Sequence, residues 1–274
     1  DDHLAGFPLL RDVEGAELWV PDNFSEVIAE PLLADLPCQW YDPIVADRVL
    51  PVNVPFAWNE YTITPHEQPG HTHFAVAYEV EVDGVVVVFT GDQQEGMGVP
   101  GERREFLNYQ YRNRFELGDY PRSAALYRRI APGLLLSGHW QPRWVEEGYL
   151  DLLAEEGEFA DAIHRRLLPL DELAMPVDGM LARISPYRAR LVPSQRQRFA
   201  VTVRNPHPAT APATVSLVIP RGWHCEPPTA SVELGPGESA AVDFEVTAGE
   251  ERRRARIAAD VTIAGDATVR YGAV

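Results

Sequence analysis

Residues 85–92 read Val-Val-Val-Val-Phe-Thr-Gly-Asp, an apolar run that ends in a glycine turn and a carboxylate. A short apolar run rich in β-branched residues and bounded by a turn signal predicts a buried β-strand. Asp92 would then lie just past the end of that strand, at the edge of a sheet. Functional groups collect at such edges, on loops held by a rigid scaffold. Asp92 is therefore the first candidate for a functional residue.

The pattern around this strand predicts an α/β fold up to about residue 180. Apolar β-like runs alternate there with stretches of helical period. The predicted strands are 17–20, 75–82, 85–90 and 133–136, and the predicted helices are 23–30, 121–130 and 141–168.

The pattern changes from about Tyr187 onward to short alternating segments separated by turns. Such spacing is typical of an all-β sandwich. The predicted strands are 198–204, 213–219, 230–234, 240–247, 255–263 and 268–274. We place a linker near residues 182–188, where Ser185-Pro186 breaks the preceding segment. The predicted domains are therefore 1–182 and 187–274.

Composition and charge narrow the classes of function. The 274 residues carry 24 basic against 41 acidic side chains, a net charge of −17, which is the wrong sign for binding a phosphate backbone. The charge is uneven, because residues 1–180 carry −20 and residues 181–274 carry +3, which favours two units. No apolar run approaches the length of a membrane span, so we expect neither nucleic acid nor a membrane as partner. Localisation does not follow from the sequence.

Three of the eight histidines stand in unusual contexts, namely Asp2-His3, Pro69-Gly70-His71-Thr72 and Ser137-Gly138-His139-Trp140. The two cysteines, Cys38 and Cys225, have no metal-ligand spacing, so a metal would be held by imidazoles and carboxylates. Such ligands suit Zn, Fe or Mn. Taken alone, the His71 motif or the His139 motif is more typical of a histidine satisfied within a turn, and a frayed terminus stays open for Asp2-His3. The combination of these motifs with Asp92 favours a metal site.

In order and separation these motifs resemble those of the metallo-β-lactamase-fold hydrolases. Asp1-Asp2-His3 looks like the tail of that family's HxHxDH motif, so we expect an N-terminally truncated chain that begins inside this motif. The resemblance covers roughly residues 1–180 and implies a partial αββα sandwich. It also implies that Asp2, His3 and His139 hold one metal, that His71 belongs to the other, and that Asp92 bridges both.

The activity that this resemblance implies is metal-dependent hydrolysis. Two ions, most simply Zn with Fe or Mn as alternatives, would activate one water in the full-length site, with Asp2 and Asp92 as catalytic carboxylates. The expected substrate is a small ester, thioester, lactam or lactone, because the acidic first part disfavours polyanions. The candidate substrate-binding residues are His73, Tyr109, Arg112 and Asn113. A structural role for His73 and an amphipathic surface role for residues 108–114 stay open.

Residues 187–274 resemble a bacterial immunoglobulin-like β-sandwich module of the kind appended to carbohydrate-active enzymes. The resemblance lies in Leu234-Gly235-Pro236-Gly237-Glu238, Trp223 and the short strands. It implies spacing, docking or contact with a glycan or a protein, although Trp223 also suits a core position. The alternative function for the whole chain is a catalytically degenerate scaffold that acts as a binding or interaction protein through this sandwich.

Overall fold

A computed structural model describes residues 3–34, 42–109, 114–250 and 254–272. Spatial proximity divides the chain into two compact units. The first comprises the described residues within Asp1–Pro31 and Leu36–Leu167, and the second those within Leu32–Asp35 and Leu168–Val274. Across the described ranges, no helix combines the length and the apolar character that a membrane crossing requires.

The first unit is a mixed α/β structure built on a six-stranded sheet. Its helices are α1 (Phe7–Glu14), α2 (Asp22–Ala29), α3 (Asp119–Ile130) and α4 (Tyr149–Leu167). A short 3-10 helix, Pro31–Leu33, includes the last residue of the first unit's N-terminal segment and the first two residues assigned to the second unit. Its strands are β1 (Trp19–Pro21), β2 (Arg48–Leu50), β3 (Phe56–Trp58), β4 (Tyr61–Glu67), β5 (Val76–Val82), β6 (Val85–Gly91), β7 (Leu134–Ser137) and β8 (Arg143–Trp144). The six strands from β3 to β8 lie in chain order, while β1 and β2 form a separate parallel pair.

Strand β6 is a central strand of the six-stranded sheet. It pairs antiparallel with β5 and parallel with β7. Val88 of β6 is fully buried in a cluster with Ala77 of β5, Leu135 of β7 and apolar residues of α3 and α4. The valine run therefore forms the buried strand that the sequence predicts, and this strand ends at Gly91, directly before Asp92.

The helix predicted over residues 141–168 begins later in the structure than the sequence indicates. Helical structure was expected over residues 141–168, but α4 starts only at Tyr149. Arg143 and Trp144 instead pair antiparallel with Leu135 and Leu134 of β7. Backbone pairing at the open edge of the sheet overrides the local helical pattern there, because it satisfies N–H and C=O groups that β7 would otherwise expose.

The second unit is built from two four-stranded antiparallel sheets. Its strands are β9 (Ala182–Ser185), β10 (Arg196–Arg204), β11 (Ala211–Val218), β12 (His224–Glu226), β13 (Ala230–Leu234), β14 (Ser239–Thr247), β15 (Ala258–Ile263) and β16 (Val269–Gly272). The sheet orders are β12-β14-β10-β9 and β13-β11-β15-β16. Val201 and Phe244 of one sheet share a single core with Val215 and Val261 of the other.

The linker is not where the sequence predicts it. Residues 182–185 form β9, which pairs antiparallel with β10 from Ala182–Val203 to Ser185–Ala200. Ser185-Pro186 is a cis peptide that follows this strand. The division between the two units falls instead after Leu167, at the end of α4. The Ser-Pro signal therefore marks the end of a strand inside the second unit.

Candidate metal centre

The side chain of Asp92 lies at the end of β6 and forms the centre of the candidate site. Its Oδ2 atom is 3.0 Å from Nε2 of His3 and 3.1 Å from Nε2 of His139. The carboxylate is only 11% exposed, whereas His3 and His139 are 51% and 47% exposed. A buried carboxylate thus faces two imidazoles that remain open to solvent, an arrangement that a ligand can enter from the outside.

The pairing of β6 with β7 brings His139 to Asp92. The Gly138 N–H donates to the Gly91 carbonyl over 2.8 Å, which joins the turns that follow the two strands. A Cβ atom at Gly138 would lie 2.4 Å from Asp92 Oδ1 and 2.6 Å from His3 Cε1. The glycine before His139 is therefore required by the close approach of the other two side chains.

His71 approaches the same carboxylate from the turn between β4 and β5. Its Nε2 atom is 3.9 Å from Asp92 Oδ2, and its ring is 16% exposed. Its Nδ1–H donates to the backbone carbonyl of Asn108 over 2.7 Å. A carbonyl oxygen can only accept, so Nδ1 carries a proton, and Nε2 is the ring nitrogen that faces Asp92.

The donor set fits a divalent metal. Ligand atoms of His3, Asp92 and His139 all lie within 4.8 Å of one another. Two ligands bound to one zinc ion at about 2.0–2.1 Å in tetrahedral geometry are separated by about 3.3 Å, close to the distances from Asp92 Oδ2 to the two Nε2 atoms. Asp92 Oδ1 is also buried, with no hydrogen-bond partner among the described residues. A bound cation would compensate the cost of burying that oxygen.

The sequence-predicted site residues have different surroundings. His73 is exposed and packs edge-on against Phe74. The ring of Tyr109 packs against Phe115 and His164, so the structure gives it a packing contact. Asp2, Arg112 and Asn113 lie outside the described residues. The structure thus brings together His3, His71, Asp92 and His139.

Several buried polar residues around the site carry no sequence motif. Gln68 donates to the Thr90 carbonyl over 2.8 Å, and the Tyr127 hydroxyl donates to Gln68 Oε1. Burial raises the pKa of Tyr127, so this hydroxyl keeps its proton and its donor role. The network fastens the end of β6 to α3. The sequence does not predict this network, since a glutamine gives no sign in the sequence that its side chain will be buried.

Comparison of the sequence with protein-family models and with curated proteins finds no match. Among solved structures, the chain is similar to the class B3 di-zinc metallo-β-lactamase LRA-12 from an Alaskan soil metagenome, with 13% identity and a TM-score of 0.43 over 60% of this chain and 69% of that one. Native FEZ-1 metallo-β-lactamase from Legionella gormanii gives 16% and 0.43 over 61% and 71%. BJP-1, a subclass B3 metallo-β-lactamase of Bradyrhizobium japonicum, gives 15% and 0.42 over 60% and 69%.

All three TM-scores lie below 0.5. At this level of similarity, the side chains of the site and not the fold indicate the chemistry.

Proposed function

We propose that this chain forms the metal-binding part of a metal-dependent hydrolase. The observation that carries the proposal is the convergence of His3 and His139 on one carboxylate oxygen, Oδ2 of Asp92, at 3.0 and 3.1 Å. Three chain segments far apart in the sequence supply these groups. Two imidazole nitrogens beside one carboxylate oxygen, with a third at 3.9 Å on His71, offer a divalent cation the kinds of ligand atom that suit it.

Each residue has a role in this proposal. His3, Asp92 and His139 would hold one ion, and His71 would contribute to a second together with Asp92. The hydrogen bond from His71 to the Asn108 carbonyl fixes the tautomer that a ligand requires. Asp2 is a further ligand on the strength of the sequence motif alone. Zinc is the first choice, because imidazole and carboxylate ligands suit it, with Fe or Mn as alternatives.

A divalent ion, when bound, supplies a nucleophile at neutral pH and polarises the electrophile. The chain's own groups hold the site in shape: Gly138 leaves room for Asp92 and His3, and the Gln68–Tyr127 network anchors the end of β6. The proposed substrates are small esters, thioesters, lactams or lactones. The net charge of −20 on residues 1–180 disfavours polyanions.

The alternative is a degenerate scaffold that binds a glycan or a protein through the second unit. Trp223, the aromatic residue suggested for stacking on a sugar, packs against the core of that unit. Its Nε1 atom is buried, with no hydrogen-bond partner among the described residues. This position favours a structural role for the ring, so the hydrolase proposal has the stronger support.

Metal content per chain tests the proposal. We expect the purified protein to bind zinc tightly in elemental analysis and calorimetric titration, and the double variant Asp92→Ala, His139→Ala to bind none. The matched control is His207→Ala, Asp266→Ala, which removes a His–Asp pair at 3.1 Å in the second unit. A folded parent that binds no zinc, iron or manganese would contradict the metal site and favour the binding alternative.

Hydrolysis of a panel of thioesters, lactones, lactams and esters then tests the reaction. Turnover that a chelator abolishes and zinc restores supports the proposal. Metal binding without turnover of any substrate class would support the metal site and contradict the proposed hydrolysis.

A further inference from the structure

We infer that Gln93 is a positioning residue that holds His71 in the orientation needed to bind metal. The inference deepens the proposed function and rests on it. Gln93 follows Asp92 directly and is buried, at 2% exposure. No motif in the sequence marks it. Its amide and its backbone carbonyl reach His71 by two separate routes.

The first route runs through the amide side chain. Gln93 Oε1 accepts the backbone N–H of His71 over 3.0 Å, and Gln93 Nε2 donates to the Pro69 carbonyl over 3.0 Å. One side chain therefore spans the turn from Pro69 to His71 and satisfies a donor and an acceptor of its backbone. This contact sets the position of the His71 Cα atom relative to Asp92.

The second route runs through the backbone of Gln93. Its carbonyl accepts the N–H of Asn108 over 3.0 Å. The carbonyl of Asn108 in turn accepts Nδ1–H of the His71 ring over 2.7 Å. The backbone of Gln93 thus holds the group that fixes the tautomer of His71, while its side chain holds the turn that carries His71.

The space around the amide explains why the turn contains a glycine. A Cβ atom at Gly70 would lie 2.4 Å from Gln93 Nε2 and 2.9 Å from Oε1. Gly70 also has φ +150°, a conformation that L side chains rarely adopt. The amide therefore packs directly beneath the turn. Of the common side chains of this size, only glutamine offers a neutral donor and a neutral acceptor at this reach.

The test compares Gln93→Leu with Asn205→Leu. Both variants replace a buried amide by an apolar side chain. The Asn205 amide donates to the Leu234 carbonyl over 3.0 Å in the second unit, whereas the Gln93 side chain holds the His71 turn. Three quantities are measured for each protein: the zinc dissociation constant, the ¹⁵N shifts of the His71 ring in metal-free protein, and the thermal unfolding temperature. The ring signals are assigned with a His71→Gln variant.

We expect Gln93→Leu to weaken zinc binding by about 10- to 100-fold, the usual cost of losing a group that orients a ligand. The ring shifts of His71 should move from a pure Nδ1–H tautomer toward a mixture, because the turn and ring no longer hold their positions. Asn205→Leu should lower the unfolding temperature and leave the zinc dissociation constant and the His71 ring shifts unchanged. Equal zinc affinities for Gln93→Leu and the parent, with an unchanged ring spectrum, would overturn the inference.

The parent spectrum provides a test that does not depend on any variant folding. If the metal-free parent shows His71 mainly as the Nε2–H tautomer, the inference is wrong. If the parent binds no metal and Gln93→Leu still shifts the His71 tautomer, the proposed function fails while the positioning by Gln93 stands. The two failures are therefore distinguishable.

Discussion

The two units of this chain differ in what they bury. Among the described residues, the second unit buries one polar side chain, Asn205, within an otherwise aliphatic and aromatic core. The first unit buries many more, namely Gln68, Thr90, Gln93, Gln94, Glu105, Asp119, Ser123, Glu156, Asp161 and His164. Burying a polar group costs free energy unless it is hydrogen-bonded, so the first unit needs a matched set of donors and acceptors.

This difference matches the two roles of the units, since the candidate site lies in the first unit and the second unit has a simple apolar core. Apolar residues alternate along the strands of the second unit, and such a pattern suffices to build a core. In the first unit, the buried polar residues Gln68, Thr90 and Gln93 lie in the segments that carry His71 and Asp92, and their side chains hydrogen-bond nearby backbone groups. We therefore expect the stability of the second unit to depend chiefly on its apolar volume. The stability of the first unit should depend more on its charges, its hydrogen bonds and bound metal.

The largest effect should come from the apolar core of the second unit. Phe244 is 1% exposed there, and Phe244→Ala should lower the free energy of unfolding by about 3–5 kcal/mol, because it removes buried surface and leaves a cavity. Denaturant titration measures the loss, and Phe89→Ala, at a site 45% exposed, is the control. If Phe244→Ala also weakened zinc binding, the stability of the second unit would not be independent of the metal site in the first.

Metal addition should stabilise the first unit and leave the second unit unchanged. Zinc at about 100 times its dissociation constant should stabilise the site by about 2.7 kcal/mol. Amide hydrogen exchange should therefore slow in β6 and β7 and stay unchanged in β11 and β15. Asp92→Ala, His139→Ala should abolish the effect. Equal slowing in both units would contradict the assignment of the site to the first unit.

The next effect concerns a carboxylate buried in the first unit. Glu105 accepts the backbone N–H groups of Gly96 and Gly98 over 2.9 and 2.8 Å, and the Tyr149 hydroxyl over 2.8 Å. Glu105→Gln replaces one acceptor oxygen by a donor, which should cost about 1.5–3 kcal/mol in the free energy of unfolding.

The control for this variant is Glu238→Gln in the second unit. Glu238 is exposed and accepts one N–H, that of Gly235. It should change stability far less, as denaturant titration will show. Equal costs for the two variants would mean that burial of the carboxylate makes no difference.

The smallest effect appears at alkaline pH. Burial raises the pKa of Tyr78 to about 12 from its usual 10, so the unfolded chain loses its proton first as the pH rises. The contribution of Tyr78 is fully present below about pH 10 and is lost toward pH 12, by about 2 kcal/mol. Tyr78→Phe should flatten the decline in the free energy of unfolding over that range.

Tyr271 of the second unit provides the comparison for Tyr78. Burial raises its pKa too, but a hydrogen bond with the backbone of Leu181 lowers it in part. Tyr271→Phe should therefore change the alkaline decline less than Tyr78→Phe does. A larger change for Tyr271→Phe would contradict the order that we expect.

Local patterns in the sequence predict much of the fold. The valine run predicts β6, and alternation predicts the bounds 230–234 that β13 has. Helix α1 goes unpredicted, since it is only eight residues long and none of them is buried. Strand β4 goes unpredicted because Pro65 and His66 interrupt its apolar pattern, although pairing with β5 accommodates both residues.

The candidate site is predictable only in part. Glycine turns next to His71 and His139 mark these residues in the sequence, because close packing excludes a Cβ atom from both turns. The Asn108 carbonyl leaves no such mark, since every residue has one. No local pattern marks Gln93 either, because its role depends on which turn its side-chain amide contacts in the folded chain.

The sequence by itself determines which residue types are available to the site and where the buried strand beside it ends. Only the tertiary structure decides that His3, Asp92 and His139 meet, since they stand 89 and 47 residues apart along the chain. The meeting of Asp92 and His139 depends on the parallel pairing of β6 with β7, which brings the turns after both strands to one edge of the sheet. Strand pairing is a long-range choice that no local pattern encodes.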